Sequence, residues 1–105
     1  MIKTIENDAI YIKMQKDLVA PNISEFKSKI VDFLEDNEDE SEDLDEVILN
    51  LSEIDNIDSM GVTFVVGLYK SVVKEGKSFR IEGCSDDIKQ LFKLMKLDEF
   101  FDIDE

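Results

Sequence analysis

Residues 47–82 read VILNLSEIDNIDSMGVTFVVGLYKSVVKEGKSFRIE, and this stretch decides the fold. Val47, Ile48 and Leu49 are consecutive and apolar directly after a run of carboxylates, the pattern of a short strand covered on both faces. After Asn50-Leu51, the segment SEIDNID reads as a loop. From Ser59 to about Glu75, Val62, Val65, Val66, Tyr69, Val72 and Val73 recur at helical spacing. Phe64 and Leu68 widen that stripe until the first half of the helix must be almost wholly buried. Gly76 stands where helices most often stop, and Gly67 reads as a helix–sheet contact. Ser78 to Glu82 then alternates, with Phe79 and Ile81 pointing inward. Strand, helix and strand in that order predict a right-handed crossover between parallel strands.

The flanks extend the pattern. Ile10, Ile12 and Met14 alternate with Tyr11 and Lys13, so a half-buried strand is expected there. Ile2 to Ile5 supplies a shorter one, paired through a Glu6-Asn7-Asp8 turn. Ala20-Pro21-Asn22 reads as a helix start, with Asn22 as cap and Glu25 three residues on as in a capping box. Ile23, Phe26, Ile30, Phe33 and Leu34 give that helix its apolar face to about Glu35, with Lys27, Lys29 and Asp32 outward. Downstream, Gly83 ends the strand and Ser85 caps a third helix with apolar positions Ile88, Leu91, Phe92 and Met95. Phe100 to Ile103 can add a last edge strand or pack across the helices. The order β-β-α-β-α-β-α-(β) predicts one α/β domain over residues 1–105. Its sheet is mixed, of four to five strands, with helices packed mainly on one face.

Composition narrows what such a domain can do. The chain carries 26 acidic and 12 basic residues, a formal net charge of −14, and no histidine. That balance repels phosphate backbones and anionic lipid, which argues against nucleic acid and membrane surfaces as partners. Without histidine the usual general base, the usual zinc ligand and the Ser-His and Cys-His pairs are all missing. No Gly-x-x-x-x-Gly-Lys-Ser/Thr loop and no Ser-Lys pair at readable spacing is present, so the expectation is a non-enzyme without cofactor. Residues 35–46, EDNEDESEDLDE, have no apolar period and are expected to form a solvated loop. They lack the glycine and regular alternation of an EF-hand loop, and no metal site is expected there. The lone Cys84, the lack of a signal-like N-terminus and the lack of any apolar run near the roughly 20 residues that span a bilayer point to a cytoplasmic protein without membrane insertion.

The candidate site follows from topology. In open α/β sheets the working crevice lies beyond the carboxyl ends of the parallel strands, here the loop from Ser52 to Asp58 running into Ser59-Met60-Gly61. Two readings of Ser59 stand side by side. As an N-cap, its hydroxyl would accept from a backbone N–H two or three residues on. As a phosphorylation site, it would gain about −1.5 to −2 charge at pH 7 beside Asp55 and Asp58, at the positive end of the helix dipole. Gly61, costly by roughly 1 kcal/mol against alanine in a first helical turn, serves close packing or leaves room for a partner to approach Ser59. A helix start of this kind can also accept a nucleotide phosphate weakly.

IDSMGVTFVVGLYKSVVKEG resembles the signature of the STAS domain, and within it the bacterial anti-sigma factor antagonists. There an apolar strand and loop lead to Asp-Ser-Ser/Ala-Gly and an apolar helix with Tyr-Lys near its middle, matched here by Asp58, Ser59, Gly61, Tyr69 and Lys70. IEGCSDDIKQLFKLMKLDEFFDI is similar to the family's ending, so the resemblance covers essentially the whole chain. Met60 replaces the usual small residue, residues 35–46 make a longer insert than expected, and many relatives carry a further helix after the last strand. The resemblance implies a protein that binds an anti-sigma factor serine kinase and so frees a sigma factor. Ser59 would be the phosphoacceptor, reset by a PP2C-type phosphatase. Asp55, Asp58, Ser59, Met60 and Gly61 would form the partner-binding spot of a monomer or weak dimer. The other use it implies is an unmodified STAS scaffold or accessory subunit of a stress-signalling assembly or lipid transporter.

Overall fold

Sheet order and chain order coincide. In the computed structural model, which describes residues 1–35 and 44–104, five strands lie in the order β1 (Ile2–Glu6), β2 (Ala9–Lys13), β3 (Glu46–Asn50), β4 (Ser78–Glu82) and β5 (Asp102–Ile103). The β1–β2 hairpin is antiparallel and turns through Asn7-Asp8, where Asn7 takes the left-handed backbone (φ 54°) that asparagine tolerates well. The remaining pairings are all parallel, including β3 with β4 across the segment that opened the sequence reading. Among the described residues, three helices lie in the crossovers: α1 (Ala20–Glu35), α2 (Ser59–Lys74) and α3 (Asp86–Leu94). A 3-10 turn at Leu97–Glu99 leads into β5, so the closing segment is an edge strand.

Register explains which face the helices cover. Ile10, Val47 and Phe79 are cross-strand partners, as are Ile12, Leu49 and Ile81. These six residues join Ile23, Phe26 and Ile30 of α1, Val62, Phe64, Val65, Leu68 and Val72 of α2, and Ile88 and Phe92 of α3 in one core. The helices therefore sit on a single face. Tyr11, Ile48 and Arg80 pair on the other face. Ile48 is fully buried there yet stands outside the core, between half-buried Tyr11 and Arg80. The Arg80 guanidinium reaches Glu46 at 3.7 Å and Asp104 at 3.5 Å, contacts too long and too exposed to add much stability.

Several local expectations need correction. Helix α1 begins at Ala20, so Asn22 lies inside its first turn rather than capping it, and the Asn22 amide donates to the Asp17 carbonyl at 2.9 Å. Glu25 pairs with Lys16 and Lys29 instead of closing a capping box. Val73, Met95 and Gly67 are exposed. Val73 is one step, about 100°, around the helix from buried Val72, and Gly67 is two steps, about 200°, from buried Val65. A β-carbon added at Gly67 would meet nothing within 4 Å, so no sheet contact explains that glycine. Gly76, with φ 79°, does terminate α2, and Ser85 does cap α3 by accepting from Ile88 N. The acidic stretch 35–46 joins the fold at both ends. Glu35 closes α1, Leu44 is buried, Asp45 N donates to Asp8 O, and Glu46 opens β3. Its middle, residues 36–43, lies outside the described residues, as do the side chains of Phe33 and Leu34.

Candidate functional site

Two loops meet beyond the carboxyl ends of β2 and β3. The first spans residues 14–19 and feeds α1; the second spans residues 51–58 and feeds α2. Burial of Met14, Leu18, Leu51 and Ile54 ties both loops to the core. A short parallel bridge then joins Leu18 to Ile57: Leu18 N donates to Asn56 O at 3.1 Å, and Asp58 N donates to Leu18 O at 3.1 Å. The two helix starts are held side by side because the backbones leading into them are bonded directly.

Carboxylates complete the junction. Asp58 is the N-cap of α2, its Oδ1 accepting from Gly61 N at 2.9 Å. Its second oxygen accepts from Ala20 N at 2.8 Å, the first residue of α1. One side chain thus satisfies an orphan donor at the start of each of two helices, reaching Ala20 across 38 residues of sequence. These bonds, the one from Ala20 first and that from Gly61 second, hold the Asp58 carboxyl below the ordinary aspartate value of 3.8. Asp17 answers from the opposite loop: its Oδ1 accepts from Asp55 N (3.0 Å) and Asn56 N (3.3 Å), and its Oδ2 from Asn56 Nδ2 (3.2 Å). Its carboxyl is lowered too, chiefly by the Asp55 bond and then by the Asn56 side chain.

This arrangement decides between the two uses of Ser59 as far as capping is concerned. Asp58 holds the cap position, and Ser59 is the first residue of α2. Ser59 is exposed, its carbonyl accepts from Thr63 Oγ1, and its hydroxyl has no hydrogen-bonding partner among the described residues. Met60 beside it is 45% exposed, an apolar side chain presented to solvent at the edge of an acidic surface. Gly61 faces inward. A β-carbon there would stand 1.9 Å from Leu18 O and 2.8 Å from Ile57 Cγ1, so the space beside it is filled by the neighbouring backbone. Close packing therefore accounts for this glycine.

The structure brings Asp58, Ser59, Met60 and Gly61 together and places Asp55 on the same loop, exposed, with its backbone N–H held by Asp17. Reading the sequence missed Asp17 and Ala20. Nothing local marks either of them, since both act on partners far along the chain. Around the free hydroxyl the formal charge is negative, so an added phosphate would meet like charge from Asp58 and Asp55. Among the described residues, no group of three or more His, Cys, Asp or Glu side chains is placed to hold a metal ion. No helix among them is long and apolar enough to cross a membrane.

A sequence profile of the STAS domain matches residues 1–105. Among solved structures, a proposed anti-sigma factor antagonist of Thermotoga maritima superposes with a TM-score of 0.84 at 24% identity, over 99% of this chain and 85% of that one. The anti-sigma factor antagonist SpoIIAA in its unphosphorylated form gives 0.63 at 16% identity, over 86% of this chain and 77% of its own. A chain from the stressosome, described as a signal integration and transduction hub, gives 0.71 at 11% identity, over 98% and 86%. At these identities the likeness establishes the fold.

Proposed function

The chain belongs to the STAS domain family, and on that premise we propose that it is an anti-sigma factor antagonist, binding a kinase-type anti-sigma factor to release a sigma factor and switched off by phosphorylation at Ser59. The observation that carries this reading is the division of labour between two adjacent residues. Asp58 does the capping, which leaves the Ser59 hydroxyl exposed and uncommitted at a fixed point on the surface. A serine that capped its own helix would have to give up that bond before reacting; this one does not.

The transfer itself belongs to the partner. The bond between Ser59 Oγ and the γ-phosphorus of ATP forms as the bond to the β-phosphate oxygen breaks, ADP leaves, and the hydroxyl proton goes to a base on the kinase. The product carries about two negative charges beside Asp58 and Asp55. The Asp58 carboxylate already occupies Gly61 N, so the phosphate has no free claim on that donor. Its effect is then to change charge and shape at the contact surface while the fold persists, and a fitted interface around Ser59 and Met60 is lost. A PP2C-type phosphatase would restore it. Partners of this kind are proteins, in keeping with a net charge of −14 that disfavours nucleic acid.

Incubation with ATP and the anti-sigma factor kinase encoded nearest to it tests the proposal. One phosphate, detected by intact mass and absent in Ser59→Ala, is the expected outcome. An unchanged mass for the wild-type chain would remove the switch. A second reading is favoured by the 45% exposure of Met60, where an apolar contact suits a standing interface. In it the chain is an unmodified scaffold or accessory subunit of a larger assembly. Co-purification with that assembly, indifferent to Ser59→Asp, would favour the second reading over the first.

A further inference from the structure

We propose that Asp17 is the positioning residue of this site: by gripping the backbone of Asp55 and Asn56 it sets where the following helix start presents Ser59 to its partner. The inference rests on the reading of Ser59 as phosphoacceptor, and it adds a residue from a different loop to that site.

The argument begins with what the second loop lacks. Ile54 is anchored in the core and Ile57 is half-buried, but Asp55 and Asn56 between them are exposed. Their N–H groups belong to no sheet ladder, and both end on the same oxygen, Asp17 Oδ1, at 3.0 and 3.3 Å. The other oxygen takes the Asn56 side-chain amide at 3.2 Å. Three donors converging on one carboxylate fix both the position and the orientation of a two-residue segment. Two residues further on, Asp58 returns the grip by accepting from Ala20 N, at the helix start that follows the loop carrying Asp17. Each loop therefore supplies a carboxylate to the other's backbone, and the Leu18–Ile57 bridge runs between the two clasps. Asp17 touches neither Ser59 nor any reacting atom. It acts through the loop.

Phosphoryl transfer is sensitive to this kind of control, because a misplacement of about 1 Å at the reacting atom can lower a rate about a hundredfold. The choice of replacement separates positioning from plain stability. Asp17→Asn keeps Oδ1 for both backbone N–H groups, gives up the charge, and turns an amide NH2 toward Asn56, whose side chain can meet it by presenting its own oxygen. Asp17→Ala gives up all three.

Two measurements on the full chain test the proposal. The first is backbone amide hydrogen exchange. In Asp17→Ala, Asp55 and Asn56 should exchange faster than in wild type, while Val47, Ile48 and Leu49 keep their protection; Asp17→Asn should resemble wild type. The second is phosphorylation by the kinase used above. A fall in kcat/KM of about tenfold or more is expected for Asp17→Ala, with Asp17→Asn within about threefold of wild type. Unchanged exchange at residues 55–56 in Asp17→Ala, equal acceleration throughout the chain, or a kcat/KM within twofold of wild type would each overturn the proposal. If the wild-type chain itself takes up no phosphate, the phosphoacceptor reading fails, and the exchange measurement alone decides whether Asp17 holds the loop.

Discussion

Helix α2 contains two glycines, and they sit in opposite circumstances. At Gly61 the Leu18 carbonyl occupies the place a β-carbon would take; at Gly67 there is open space within 4 Å. The first is required by the junction of two loops, and the second by nothing in the described fold. One helix thus has an end where no β-carbon fits and a middle where one meets nothing. The intolerance is concentrated where the chain brings Ser59 to the surface.

The largest effect should come from breaking the tight end. Gly61→Ala forces a methyl group into backbone rather than into a flexible side chain, so the two loops must part; a loss of roughly 3 kcal/mol is expected in urea unfolding, with faster amide exchange at Ala20. A smaller loss should follow from Asp58→Ala, which frees donors at the starts of both α1 and α2. Asp58→Asn sharpens the point, since its one remaining oxygen can keep only one of the two helix starts. Amide exchange at Ala20 and Gly61 reads out which one it keeps.

Acid should act on the same junction. The Asp58 and Asp17 carboxyls are held below 3.8 in the folded chain by the N–H groups they accept from. A depressed folded value means the stabilisation is in full force above the unfolded value and is lost as pH falls through the folded one. Wild-type stability should therefore drop below about pH 3.8 more steeply than that of Asp17→Asn, as followed by thermal unfolding across pH 2–5. The smallest expected effect is at the open glycine. Gly67→Ala should stabilise the chain by about 1 kcal/mol, through helix propensity alone, and leave exchange at Ala20 unchanged.

The contrast also shows what the sequence could disclose. The parallel β3–α2–β4 unit was legible because Val47 to Leu49 and the stripe from Val62 to Val72 are periodic, and burial follows period. Gly76 and Ser85 were legible because their partners lie within a few residues. The caps at the candidate site were not. Asp58 and Ser59 are both good capping residues in adjacent positions, and only the Ala20 amide, contributed from 38 residues away, favours the aspartate. The same distant bond serves the first N–H of α1, so Asn22, expected as the cap, lies inside the helix. The stripe expected to include Val73, and the helix–sheet contact expected at Gly67, both reach further round α2 than the buried arc does. A buried arc has an edge, and its position depends on which neighbouring helices are present.

Because the five strands are adjacent in the order they are synthesised, the sheet can grow by addition at one edge without waiting for a later segment to insert. The site follows a different timetable. Its clasps join residues 38 apart in sequence, and they cannot close before the second loop has left the ribosome. A nascent or half-folded chain would thus display the serine without the frame around it, and a partner that reads the frame would pass it over.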